Sequence, residues 1–123
     1  MIIVITSPDN ISIGMFYEYL RKYHLKDSVF VHLNGLMPSE IASSVVEDAI
    51  KRHPTGNIIF KHKTRSSLKP NKIPQNLQDK ADSIIGFALY STHAEPLKSA
   101  PGWTDSVIQG WSDYVAKMNA TKS

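Results

Sequence analysis

The order of hydrophobic and polar positions predicts strands that alternate with helices along the chain. Short runs rich in β-branched residues predict four strands, over residues 2–6, 28–33, 57–62 and 83–89. Apolar residues that recur every three or four positions predict helices over 12–24, 39–53 and 105–118, with a further short helix beginning at Pro74. Residues 90–102 follow neither period, so we expect an irregular surface connection there.

This alternation indicates the fold class. Parallel strands need a crossover connection, and a helix is the usual one. We therefore expect an α/β protein, a small three-layer sandwich with a mostly parallel four-stranded sheet and a C-terminal amphipathic helix. Residues 1–123 are too few for two cores, which predicts a single domain. Sheets of this kind bind ligands beyond the carboxyl ends of their strands, here near residues 7–12, 33–37, 62–67 and 90–93.

The composition excludes several classes of chemistry. The chain has no cysteine, which rules out thiol catalysis, thiolate zinc sites and disulfides. None of its five histidines has the helical spacing of a zinc protease, so we expect no metal and no other cofactor. Its apolar runs are far shorter than the roughly 20 residues of a membrane span. We expect a soluble, cytoplasmic protein that makes no membrane contact.

Positive charge is concentrated in one part of the sequence. Seven of the fourteen lysines and arginines fall between Lys51 and Lys72, a stretch without Asp or Glu. Phosphate contacts from such side chains dominate nucleic-acid affinity and need no base readout. We predict that the segment 61–72 contacts nucleic acid or a nucleic-acid-handling protein. The predicted contact residues are Lys61, Lys63, Arg65, Lys69 and Lys72.

The same charges have a second, purely structural explanation. Lys51 and Arg52 suit the C-terminus of a helix, and lysines on a sheet edge or loop oppose aggregation. Phe60 and His62, which flank Lys61, would favour the functional interpretation if they formed a stacking surface. The sequence leaves both interpretations open.

Two alternative functions remain. A protein-interaction module or inhibitor would use residues 90–103, where Trp103 beside Pro101 and Gly102 is the aromatic side chain that we expect to touch a partner. A degenerate nucleotide-dependent enzyme would act at the turn Ser7 to Gly14. That turn has a single glycine and no lysine. This composition is more typical of an ordinary strand-to-helix turn with polar caps than of a phosphate cradle.

Two family resemblances bear on the third possibility. Residues 60–87, with Ile73-Pro74-Gln75 and Ile84-Ile85-Gly86-Phe87, resemble the distal part of the P-loop ATPases that package viral DNA. The glycine-lysine motif of those enzymes has no counterpart here. The same order of elements is similar to the glutaredoxins, whose cysteine pair would fall at residues 10–13 and is missing. Both resemblances imply an α/β fold alone, and we expect a binding or regulatory domain rather than an enzyme.

Overall fold

A computed structural model describes residues 1–64 and 73–122, with side chains as far as residue 120. The described chain forms five strands and four helices, which alternate except that the last two strands follow each other directly. The strands are β1 (Ile2–Ser7), β2 (Ser28–Asn34), β3 (Asn57–Lys63), β4 (Ser83–Gly86) and β5 (Glu95–Lys98). The helices are α1 (Asn10–Tyr23), α2 (Ser39–Arg52), α3 (Gln75–Lys80) and α4 (Trp103–Lys122).

The strands form one sheet in the order β2-β3-β1-β4-β5. β1 pairs in parallel with β3 on one side and with β4 on the other, and β2 pairs in parallel with β3. β5 is antiparallel to β4. The carboxyl ends of β1, β2, β3 and β4 therefore meet at one edge of the sheet, called here the carboxyl edge.

Helices cover both faces of the sheet and make three layers. The apolar side chains of α1 and α4, among them Phe16 and Trp111, pack with Ile3 and Ile5 on one face. Those of α2 and α3 form a second core on the other face with Val4, Leu33 and Phe60, which are fully buried. This arrangement confirms the predicted α/β sandwich. Within the described residues, no helix combines the length and the apolar character needed to cross a bilayer.

The fifth strand departs from the prediction. Residues 95–98 pair with β4 at the edge of the sheet, whereas the sequence predicts an irregular connection there. Two of the four residues are exposed and one is Pro96, so neither an apolar run nor an alternating pattern marks the strand. The backbone pairing with β4 defines it instead, and β4 itself ends at Gly86 rather than at Leu89.

Two helix starts also differ from the predicted ones. Asp9 rather than Ser12 caps α1, and Ser12 is a buried residue in the first turn. α4 begins at Trp103 rather than at Asp105. The Asp9 side chain caps α1 because it accepts the Ile11 N–H near the start of that helix. At the start of α4, Thr104 and Ala100 bond reciprocally: the Thr104 N–H donates to the Ala100 carbonyl, and the Thr104 hydroxyl oxygen accepts the Ala100 N–H.

Candidate functional site

Lysines from β3 share one sheet face with polar residues of β2. In the parallel register, His32 lies opposite Lys61 and Asn34 lies opposite Lys63. Paired residues of neighbouring strands point to the same face, and alternation along β3 places Lys61 and Lys63 on the face of Ile59, which is the α1 side. The strands β2 and β3 thus present a polar surface beside α1, called here the basic face.

An aromatic pair borders the basic face. Tyr17 of α1 and Phe30 of β2 stack with ring centroids 4.1 Å apart and an angle of 30° between their planes. Phe30 lies two positions before His32 on the same face of β2, and 39 % of its surface is exposed. A large, partly exposed apolar ring therefore shares this sheet face with Lys61 and Lys63.

The pKa of His32 reflects the positive charges around it on the basic face. Partial burial lowers the pKa of His32, and the positive charges of Lys61 and Lys63 lower it further. Both ammonium groups are thus close enough to the imidazole to oppose its protonation. Protonation of His32 is therefore disfavoured by the positive charges that share the basic face with it.

The predicted nucleic-acid residues divide into two groups. Lys61 and Lys63 lie together on the basic face, whereas Arg65, Lys69 and Lys72 fall outside the described residues. The other members of the charge concentration lie elsewhere. Lys51 and Arg52 end α2 at the opposite edge of the sheet, and Arg52 pairs with Asp48 at 3.1 Å.

The prediction that Phe60 and His62 form a stacking surface was wrong. Phe60 is fully buried under α2 and α3, and His62 is only 2 % exposed. Thr6 Oγ1 and His62 Nδ1 form a buried hydrogen bond of 3.0 Å. Even-numbered positions of β3 face the second core, so the exposed ring comes from the neighbouring strand. The alternation in β2 was the available signal, because it places Phe30 and His32 on the face opposite the buried Leu33.

Trp103 is more enclosed than a loop position implies. It opens α4, is half-buried, and packs against the core on the α1 side. Its ring lies edge-on to His24 with centroids 6.5 Å apart. The most exposed aromatic residue of the same segment is Tyr90, at 88 %. Partner binding by Trp103 stays a prediction.

The turn after β1 is organised by the carboxylate of Asp9. Its oxygens accept hydrogen bonds from the Ile11 N–H at 2.9 Å, the Ser12 hydroxyl at 3.1 Å and the Tyr90 N–H at 3.3 Å. Burial by itself raises the pKa of Asp9, but these hydrogen bonds outweigh it and the pKa is lowered. A negative side chain thus occupies the N-terminus of α1, where a bound phosphate would lie.

The carboxyl edge also carries the cavities that the parallel sheet predicts. One of about 240 Å³ lies between the ends of β1, β2 and β3, and one of about 410 Å³ lies beside it, between β2, α2 and α3.

Within the described ranges, no group of three or more metal-binding side chains converges on a point. The chain matches no family model, no curated protein and no solved structure.

Proposed function

We propose that this protein is a non-enzymatic binding domain that contacts single-stranded nucleic acid through the basic face. One observation carries the proposal: Lys61 and Lys63 share a sheet face with the exposed ring of Phe30. Proteins that bind single strands without sequence preference combine positive charge along the backbone path with aromatic rings on which bases stack.

The charges supply the part of the affinity that depends on salt. Each phosphate neutralised by a lysine releases counterions, so binding to a single strand weakens by about 0.7 log units per contact for each tenfold rise in salt. Lys61 and Lys63 are both half-buried, and neither takes part in a described ion pair. Their ammonium groups thus have no anionic partner among the described residues that an external phosphate would have to displace.

The ring of Phe30 supplies the part of the binding affinity that does not depend on salt concentration. The Tyr17 ring packs against the Phe30 ring with centroids 4.1 Å apart, which restricts the orientation of Phe30 before any base binds. Stacking of one base on such a ring contributes about 1–3 kcal/mol. Because every base has a flat face, this term accepts any sequence.

The test is equilibrium binding of a fluorescent oligothymidylate, measured by anisotropy over a salt series that begins near 20 mM, where phosphate attraction is least screened. The variant K61Q/K63Q should lower the salt slope by about 1.4, two contacts at about 0.7 each. The control K80Q/K117Q removes the same formal charge from α3 and α4, so its slope should match that of the unaltered protein.

A separate variant tests the contribution of the Phe30 ring to the binding affinity. Phe30→Ala should weaken binding roughly 5- to 100-fold while leaving the salt slope unchanged, because a stacked ring releases no counterions. Absence of oligonucleotide binding by the unaltered protein at the lowest salt concentration would refute the proposal.

A protein partner is the second candidate, favoured by the loop that follows β4. Leu89 is 49 % exposed and Tyr90 88 %, and Ile11 on the neighbouring turn is 71 % exposed. Asp9 and Ser12 tie this loop to the turn through the Tyr90 N–H and the Ser91 carbonyl. Exposed apolar side chains held in a fixed loop suit protein contact. Tyr90→Ser should then abolish capture of the partner and leave oligonucleotide binding intact.

A further inference from the structure

The two outer strands of the sheet differ in their capacity to pair with another chain. β5 has only four residues, contains Glu95, Pro96 and Lys98, and pairs with β4 through an irregular register. Short length, charge, proline and bulges are the features by which natural proteins keep an outer strand from accepting a foreign one. The β5 side of the sheet is therefore protected against association.

β2, the other outer strand, has none of these protective features. Its seven residues, Ser28–Asn34, include no Lys, Arg, Asp, Glu or Pro, and they pair with β3 in an unbroken register. Val29, Phe30 and Val31 are residue types that favour extended backbone. Among the described residues, no strand pairs with the outer side of β2. A long, regular outer strand without charge is the kind that accepts another strand.

The backbone groups on the outer side of β2 belong to its even-numbered residues. In a parallel ladder, every second residue of a strand directs both its N–H and its C=O to the same neighbouring strand. The Gly35 N–H donates to the Lys63 carbonyl at 2.8 Å, which continues the ladder between β2 and β3 and assigns the odd-numbered residues to it. The N–H and C=O groups of Phe30 and His32 consequently point away from β3.

These outward groups are self-complementary about a two-fold axis. When the β2 strands of two copies run antiparallel, the register that pairs all seven residues places Val31 opposite Val31 and Phe30 opposite His32 of the second copy. Phe30 and His32 then exchange backbone hydrogen bonds across the axis. Opposed side chains lie on the same face, so the two Val31 side chains meet on the α2 side, where Val31 already packs against the second core.

Closure of the assembly favours a second copy of this chain as the occupant. A two-fold pairing occupies the outer sides of both β2 strands at once and leaves only the two protected β5 strands at the ends of the joined sheet. Charge does not oppose it. Lys61 of one copy and Lys61 of the other are separated by three strand spacings, roughly 14 Å, which exceeds the screening length of about 8 Å at physiological salt.

We propose that this protein forms a two-fold symmetric dimer in which the β2 strands of two copies pair antiparallel and join their sheets into one. The axis is perpendicular to the sheet, so the α1 sides of both copies face the same way and the two basic faces become neighbours. The inference does not rest on the proposed function, because it uses backbone groups of β2 and no contact with phosphate.

The first experiment is sedimentation velocity of the full chain without nucleic acid over a wide range of protein concentrations. We expect the mass to rise with concentration from 13.8 kDa to twice that value. A protein that stays monomeric up to millimolar concentration would overturn the inference.

Two substitutions at residue 32 separate the backbone from the side chain. His32→Pro removes an outward N–H and spares the ladder with β3, since proline is tolerated on an outer strand when its nitrogen faces solvent. Dimerisation should weaken roughly 10- to 100-fold, because each copy loses a hydrogen bond. His32→Val keeps the N–H and should dimerise like the unaltered protein. Equal dimerisation of the two variants would contradict backbone pairing through β2.

Hydrogen exchange locates the interface without any substitution. The amides of Phe30 and His32 should be protected in concentrated, dimeric protein and exchange rapidly after dilution. The amides of Val31 and Leu33, which donate to β3, should be protected in both states. They also report whether His32→Pro keeps its fold. A dimer in which the Phe30 and His32 amides exchange as rapidly as in the monomer uses another surface and would refute the proposal.

Discussion

The hydroxyl of Tyr19 in α1 lies against the backbone of Gly110 in α4 and fills the space that a side chain at residue 110 would occupy. Tyr19 is fixed at this point because its hydroxyl donates to the Val107 carbonyl at 2.9 Å and forms a hydrogen bond of 2.8 Å with His24 Nε2. A Cβ at residue 110 would collide with that hydroxyl. Gly110 is therefore a packing requirement and not merely a weak helix former.

Gly110→Ala should lower the free energy of unfolding by about 1–2 kcal/mol, because overpacking outweighs the gain in helix propensity. Gly14→Ala in α1 is the control, since a Cβ there meets nothing within 4 Å. That variant should raise the free energy of unfolding by about 0.5–1 kcal/mol. Urea denaturation measures both, and a stabilised Gly110→Ala would contradict the close contact.

The phenol of Tyr19 should also produce a change in stability at alkaline pH. Burial raises its pKa from 10.0 to about 12, with smaller contributions from Asp113 and Tyr23. A group whose pKa is higher in the folded state stabilises the fold below the unfolded pKa, and this contribution is lost as the pH rises through the folded pKa. The loss should therefore fall between pH 10 and about 12. Tyr19→Phe should remove this slope, as followed by urea denaturation at fixed pH values.

Asp9→Ala should destabilise the protein by about 1–2 kcal/mol, the usual loss for a helix cap. The lowered pKa of Asp9 means that its contribution is present at neutral pH and is lost as the pH falls through the folded value. The melting temperature of this variant should therefore fall less steeply with decreasing pH than that of the unaltered protein. Asp27→Ala, at an exposed position outside the helices, serves as the control, and an equal loss in both variants would count against the cap.

Trp103 and Tyr90 should behave oppositely when they are replaced. Trp103→Ala removes a half-buried ring from the α1 side of the core and should cost about 1–3 kcal/mol. Tyr90 has a φ of 58°, which a glycine adopts without strain, and its ring is mostly exposed. Tyr90→Gly should leave the free energy of unfolding unchanged or raise it by up to about 1 kcal/mol. Melting temperatures of both variants, measured by calorimetry, test this prediction. A large decrease in the melting temperature of Tyr90→Gly would contradict the exposed position of the Tyr90 ring.

The sequence by itself determined the α/β class, four of the five strands and the sides of the helices that are buried. These features depend on local periodicity, and periodicity is visible along the chain because a buried face must repeat with the geometry of its own element. Apolar runs such as Ile2 to Ile5 admit few other arrangements. Periodicity does not predict the short edge strand β5, because its pairing depends on the position of β4 rather than on its own side chains.

The candidate sites were decided by tertiary structure. Strand β3 separates Lys51 and Arg52 from Lys63, whereas the parallel register brings His32 from 29 positions away to lie opposite Lys61. The cavity beside Thr64 likewise exists because the loop after β2 reaches the end of β3 at Gly35. Neighbours across a sheet are set by strand order and register, which are long-range properties of the fold. A local pattern of charge or hydrophobicity does not encode them.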